Sequence, residues 1–304
     1  MTVMHKALIG GWLAAALFGS TAFAATPTKP VKAAAPAQKV TPLAPGAEQM
    51  ISHGRFDDIA MYTPKRQIKS FVMLLSGAKG WTAADAETAH QLTERGALVA
   101  GIDTARLYAG FEKADDKCLV ANGDFENLSR YLQAYYKVPG YFPPILVGEG
   151  TGAALAYMLV AQADEGTFTG AISLGFCPQT QLRKAMCKGE NLRYAKPGLL
   201  KPAKELGAPW TWIDVGPHHT PGSCSVKIDE DFPDVDNGRR ISSAASNRDR
   251  LLEQSYEGLV EKLVPAQPPP LLGDLPLIEL PIPGGSGDLF AILISGDGGW
   301  AGID

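Results

Sequence analysis

Short, fully apolar runs alternate with segments of helical spacing through most of this chain. Residues 71–75 are apolar without a break and end in Ser76 and Gly77, the pattern of a strand covered on both faces and followed by a turn. Thr82 then stands where a helix N-cap belongs, Ala, Leu and Glu recur at helical spacing to Arg95, and Gly96 supplies a C-terminal stop. The same reading predicts strands at 97–102, 145–147, 170–174 and 210–215, and helices at 125–137, 152–163 and 247–263. Strands that alternate with helices predict an α/β domain with a mostly parallel sheet flanked by helices.

The ends of the chain follow different patterns. His5 and Lys6 precede an apolar run at 7–18, and Ala22, Phe23 and Ala24 give a small-residue exit; residues 1–24 therefore read as a secretory signal peptide, cut before Ala25. Its apolar core is too short to cross a bilayer and no later stretch is apolar enough to do so, so no transmembrane segment is expected after cleavage. Residues 25–46 are almost entirely Ala, Pro, Thr, Lys and Val, a composition that buries too little to offset the entropy of ordering, and they read as a disordered linker. Residues 47–264 then form one domain, 265–274 a Pro-rich linker stiffened by Pro268, Pro269 and Pro270, and 275–304 the opening of another domain.

Charge narrows the partners. The net charge is −4, with no long basic run and no basic amphipathic helix, so neither nucleic acid nor an anionic membrane is indicated as a direct partner. Cys118, Cys177, Cys187 and Cys224 are an even set in a chain with an export leader, which predicts two disulfides with three pairings open. No C-x-x-C pair occurs, and His218 and His219 are adjacent instead of sharing a helix face, so no metal site is expected.

The most informative feature is a repeat. Residues 295–304 reproduce residues 76–85 at an offset of 219: each copy follows an apolar strand and keeps Ser-Gly, Gly-Trp and Asp at the same spacing, in a chain with only five tryptophans. This predicts a tandem duplication whose second copy starts near Leu275, has only its first strand and turn within these 304 residues, and continues beyond them.

Acyl-transfer enzymes built on such a sheet carry a nucleophile on a sharp strand-to-helix turn, G-x-S-x-G. Residues 145–147 lead into Gly148, Glu149, Gly150, Thr151 and Gly152, which fits that elbow in position and glycine spacing but places Gly150 where the nucleophile belongs. Without a hydroxyl, thiol or carboxylate there, no covalent intermediate can form at that position. Thr151 falls one residue late and reads as a cap or packing residue. A dinucleotide loop fits poorly, since Glu149 would oppose a phosphate and the spacing is not G-x-G-x-x-G; no cofactor is expected. Asp214 stands where the acid of a triad would, as a vestige, while His218 and His219 follow it too closely to serve as its histidine. The turn at 76–80 occupies the place of an oxyanion hole, and its counterpart in the second copy, with Asp297 and Gly298, is richer in glycine. The second copy is therefore expected to be the catalytic one.

The duplicated strand with Ser-Gly-x-x-Gly-Trp, the leader, the Pro-rich linkers and the glycine elbow together resemble the AcvB/VirJ family of bacterial virulence-factor proteins, from about residue 50 onward. The resemblance implies an α/β-hydrolase fold and a long form in which a degenerate copy precedes a working domain. It implies a periplasmic serine hydrolase that removes the aminoacyl group of lysyl-phosphatidylglycerol, with the working elbow in the C-terminal domain. An aminoacylated phospholipid would then be the partner of the full-length protein. The alternative is a protein- or lipid-binding module that docks an exported or secretion-system protein.

Overall fold

The computed structural model describes residues 43–113, 115–189, 191–215, Cys224, Phe232 and 235–263. The signal-peptide reading at 1–24, the linker reading over 25–42 and the Pro-rich linker and second-domain readings at 265–304 lie outside the described residues; of the expected disordered linker at 25–46, residues 43–46 are described, and the Pro45 carbonyl accepts from the Tyr62 hydroxyl at 2.9 Å. Ten strands are described: β1 Gln49–His53, β2 Phe56–Tyr62, β3 Ser70–Leu75, β4 Ala97–Ile102, β5 Ile145–Glu149, β6 Gly170–Leu174, β7 Arg193–Lys196, β8 Leu199–Lys201, β9 Glu205–Val215 and β10 Asp236–Ser243. Five α-helices accompany them: α1 Ala83–Glu94, α2 Thr104–Glu112, α3 Ala121–Tyr135, α4 Thr151–Gln162 and α5 Arg248–Val260, the last preceded by a 3₁₀ turn at Ala245–Asn247.

Eight strands form one sheet in the order β1-β2-β4-β3-β5-β6-β9-β10, and β7 and β8 make a separate hairpin. β2 is antiparallel to both its neighbours, and the strands from β4 to β10 are parallel. β3, β4 and β6 are buried at every residue, as parallel strands covered on both faces must be. Their alternate side chains feed two cores: Phe71, Met73 and Leu75 join α2, α3 and α4 on one face, and Val72 and Leu74 join α1 and α5 on the other. The buried Ser70 hydroxyl is satisfied by the Tyr256 hydroxyl at 2.7 Å, which ties α5 to β3.

The periodicity places most of these elements to within a few residues. It omits β1, β2, α2, the β7–β8 hairpin and β10, and it begins β9 five residues late. α3 starts at Ala121, ahead of the expected Phe125.

α4 is buried from Gly152 to Gln162, and a helix apolar all round needs cover on both sides. The sheet gives one side. The other is given by the excursion at 175–204 between β6 and β9, which lays Leu182, Met186, Leu192, Leu200 and Ala203 into the same core. The buried Tyr157 hydroxyl of α4 accepts from the Ala203 amide at 2.8 Å, and Gln162 Nε2 donates to the carbonyls of Leu119 and Cys187, each at 2.8 Å. Two disulfides fix the excursion at its sides, Cys118–Cys187 and Cys177–Cys224; this settles the pairing that the sequence left open. Both bonds fit an oxidising compartment. Among the described residues no helix is long and apolar enough to cross a membrane.

Candidate functional site

The site forms at the carboxyl ends of β3, β5 and β9, where side chains and turns project beyond a parallel sheet. β5 ends at Glu149, Gly150 adopts φ 53° and ψ −107°, and α4 begins at Thr151. That conformation costs a residue with a Cβ about 1 to 3 kcal/mol. The three glycines of the turn have different reasons to be there. A Cβ on Gly148 would stand 2.2 Å from the Gly152 carbonyl oxygen, and one on Gly152 would stand 2.2 Å from the Leu75 carbonyl oxygen. The first turn of α4 therefore lies directly on β5 and β3. A Cβ on Gly150 would meet nothing within 4 Å. The flanking glycines are required by packing, while the middle position opens into free space where a nucleophilic side chain would stand.

The strand order, the antiparallel β2 and this turn after β5 agree with one another. The domain has an α/β-hydrolase-type fold.

No family model matches the chain, and no curated protein matches it. Solved structures do. A thermostable carboxylesterase of Bacillus coagulans is 20% identical over 43% of this chain and 45% of its own, with a TM-score of 0.35; the chain thus spans less than half of that protein. Esterase 2 of Thermogutta terrifontis is 15% identical over 75% of this chain and 98% of its own, with a TM-score of 0.47. A dienelactone hydrolase of Anabaena variabilis is 12% identical over 71% and 96%, with a TM-score of 0.45. These are likenesses of fold.

The turn after β3 lies against the elbow. A Cβ on Gly77 would stand 3.7 Å from the Glu149 carbonyl oxygen, so this loop and the Thr151 amide occupy the two places from which oxyanion donors come in such a fold. The same turn explains the residues that the repeat keeps. Ser76 is fully buried, and its hydroxyl accepts from the Thr104 amide at 3.0 Å. Gly80 has φ 77°, and a Cβ there would strike the Asp103 carboxylate at 2.7 Å. Trp81 lies on Gly101 of β4, where a Cβ would come within 2.2 Å of its ring, and its indole N–H donates to Tyr62 Oη at 3.1 Å. Asp85 accepts from the Thr82 amide while Thr82 Oγ1 accepts from the Asp85 amide, closing a capping box on α1. Burial raises the Asp85 pKa above the usual carboxylate value against its hydrogen bonds to Thr82, and the charge of Glu149 adds to the rise. The second copy of this turn, with Asp297 and Gly298, lies outside the described residues.

The rest of a triad is absent among the described residues. Asp214 is the residue before the last of β9, where an acid belongs, but Arg240 of β10 holds its Oδ2 at 2.7 Å and stacks its guanidinium 4.4 Å from the Trp212 ring centroid. Chain order puts the triad histidine after the acid, and His218 and His219 lie outside the described residues. The connection that leaves the last strand consists of Ala244, Ala245, Ser246 and Asn247. The next residue, Arg248, donates to Glu149 Oε2 at 2.7 Å. The elbow is therefore met by an arginine bound to its own glutamate, with no imidazole in that connection. Sequence reasoning missed both arginines. Neither carries a motif, and β10, which sets Arg240 opposite Trp212 and within reach of Asp214, has only Ile241 as an apolar residue.

Proposed function

We propose that residues 47–264 are the catalytically silent hydrolase-type copy of a longer periplasmic serine hydrolase acting on an aminoacylated phospholipid of the lysyl-phosphatidylglycerol type, whose working elbow belongs to the second copy opened at 275–304. The observation that carries the silent-copy reading is Gly150: a complete elbow, with both flanking glycines demanded by packing, bears no reacting atom. Asp214 and Glu149 are each held by an arginine, so neither carboxylate orients a histidine in the described residues. The repeat at 295–304 and the resemblance to the AcvB/VirJ family support the remainder of the reading, including export and the lipid substrate.

A second reading is favoured by the Glu149–Arg248 pair at the elbow, which suits a domain that binds instead of reacting. The two are separated by exporting the complete reading frame and the 47–264 segment side by side and assaying lysine release from lysyl-phosphatidylglycerol. Activity confined to the complete protein is the expected outcome. Hydrolysis by the segment alone would refute the silent-copy reading, and inactivity of both would give first place to the binding module.

A further inference from the structure

The excursion that covers α4 has two unlike sides. Its inward residues are apolar, while residues 175–204 carry seven Lys and Arg against the single acid Glu190, leaving 21 basic and 31 acidic residues in the rest of the chain. An acidic protein thus gathers a quarter of its positive charge on one short segment. The sequence shows no basic run because Leu182, Met186, Leu192, Tyr194 and Leu200 interrupt the charges and turn inward.

The β7–β8 hairpin sorts these residues by pleat. Tyr194 pairs with Leu200 on the inner side, and Arg193 pairs with Lys201 on the outer side. Both members of the outer pair are exposed, as are Lys188, Lys196 and Lys204. None of these five makes an ion pair among the described residues, and like charges directly opposite across a hairpin are destabilising. The arrangement costs stability unless an external anion offsets it. The disulfide Cys118–Cys187 holds the segment beside Val120, an apolar side chain 61% exposed.

We infer that the outer face of the 175–204 excursion, centred on Arg193, Lys196 and Lys201, docks this domain on an anionic phospholipid surface. Charge complementarity selects an anionic partner, and the form of the face selects a lipid surface. Four of the five unpaired cations are lysines, compact charges suited to a diffuse array of headgroups more than to forked recognition. The hairpin's aromatic, Tyr194, is turned inward with its hydroxyl accepting from the Met186 amide at 3.1 Å, so it offers no platform for stacking bases. This inference does not depend on Gly150 being silent.

The test is co-sedimentation of the intact exported protein with vesicles of phosphatidylglycerol and phosphatidylethanolamine, beside vesicles of phosphatidylcholine. Binding to the anionic vesicles should weaken as salt is raised. The triple variant Arg193→Gln, Lys196→Gln, Lys201→Gln should bind about 100-fold more weakly, at about five-fold for each charge removed. A control triple variant on exposed cations elsewhere, Lys65→Gln, Arg66→Gln, Lys262→Gln, should bind as the parent does, with circular dichroism and a thiol titration confirming that all three proteins are folded and oxidised. Equal binding to both vesicle types, or unchanged binding by the first triple variant, would overturn the inference. Retention on immobilised polyglutamate without vesicle binding would also overturn it, in favour of an acidic protein partner.

Discussion

Serine at position 150 separates what the elbow's backbone requires from what its chemistry requires. The open space around a Cβ there leaves only the backbone conformation as a penalty, so Gly150→Ser should lower stability by about 1 to 3 kcal/mol. Gly148→Ala and Gly152→Ala drive a methyl group into backbone that cannot yield, and each should cost more than about 4 kcal/mol. Urea unfolding of the three variants checks the contrast; equal losses would mean that the middle glycine is also a packing requirement. Asp85 gives a second prediction. Its raised pKa means that the folded state keeps a proton that the unfolded state has already released. Stability from this group therefore falls as pH rises through the ordinary carboxylate value toward the raised one, and does not recover above it. Asp85→Asn lacks this loss, so the stability of the variant relative to the parent should increase with pH across the carboxylate range. A pH-independent difference would contradict the assigned shift.

Elements were legible in the sequence where burial on both faces makes composition speak. β4 and β6 have the bounds that their apolar runs predict, 97–102 and 170–174, because a parallel strand inside the sheet has no polar side to blur it. β10 was illegible for the opposite reason: at the sheet edge it has one neighbour, and its residues are mostly polar. The strand-to-helix turn at 148–152 was legible as to place, since glycine spacing is local. The arginines that hold Glu149 and Asp214 were not legible, because those pairs join residues 99 and 26 positions apart. The disulfides were countable from sequence, but their pairing depends on the path of the excursion over α4. Cys118–Cys187 spans 69 residues, so replacing both cysteines by alanine should cost about 4 kcal/mol on the chain-entropy account. Thermal unfolding of the double variant checks this, and a loss below about 1 kcal/mol would show that the buried hydrogen bonds of Gln162 hold the excursion without the bond.

At the scale of the molecule, three features support the proposed reading: a hydrolase-type sheet, a strand-to-helix turn with glycine at its middle position, and a repeat of the sequence of the first strand-turn segment at 295–304. On the proposed reading a duplication relieves one copy of catalytic duty, and what packing still demands of that copy is the flanking glycines, the Trp81 contact on Gly101 and the capping box on α1. The central claim is that this domain bears no reactive nucleophile. It is tested most directly by incubating the isolated, oxidised 47–264 segment with a fluorophosphonate that labels activated serines, and reading the intact mass. The account predicts an unchanged mass, and an unchanged mass again for Gly150→Ser, because the connection after β10 supplies no histidine to activate a hydroxyl. A stoichiometric adduct on the parent segment would contradict the account and place the chemistry on another residue.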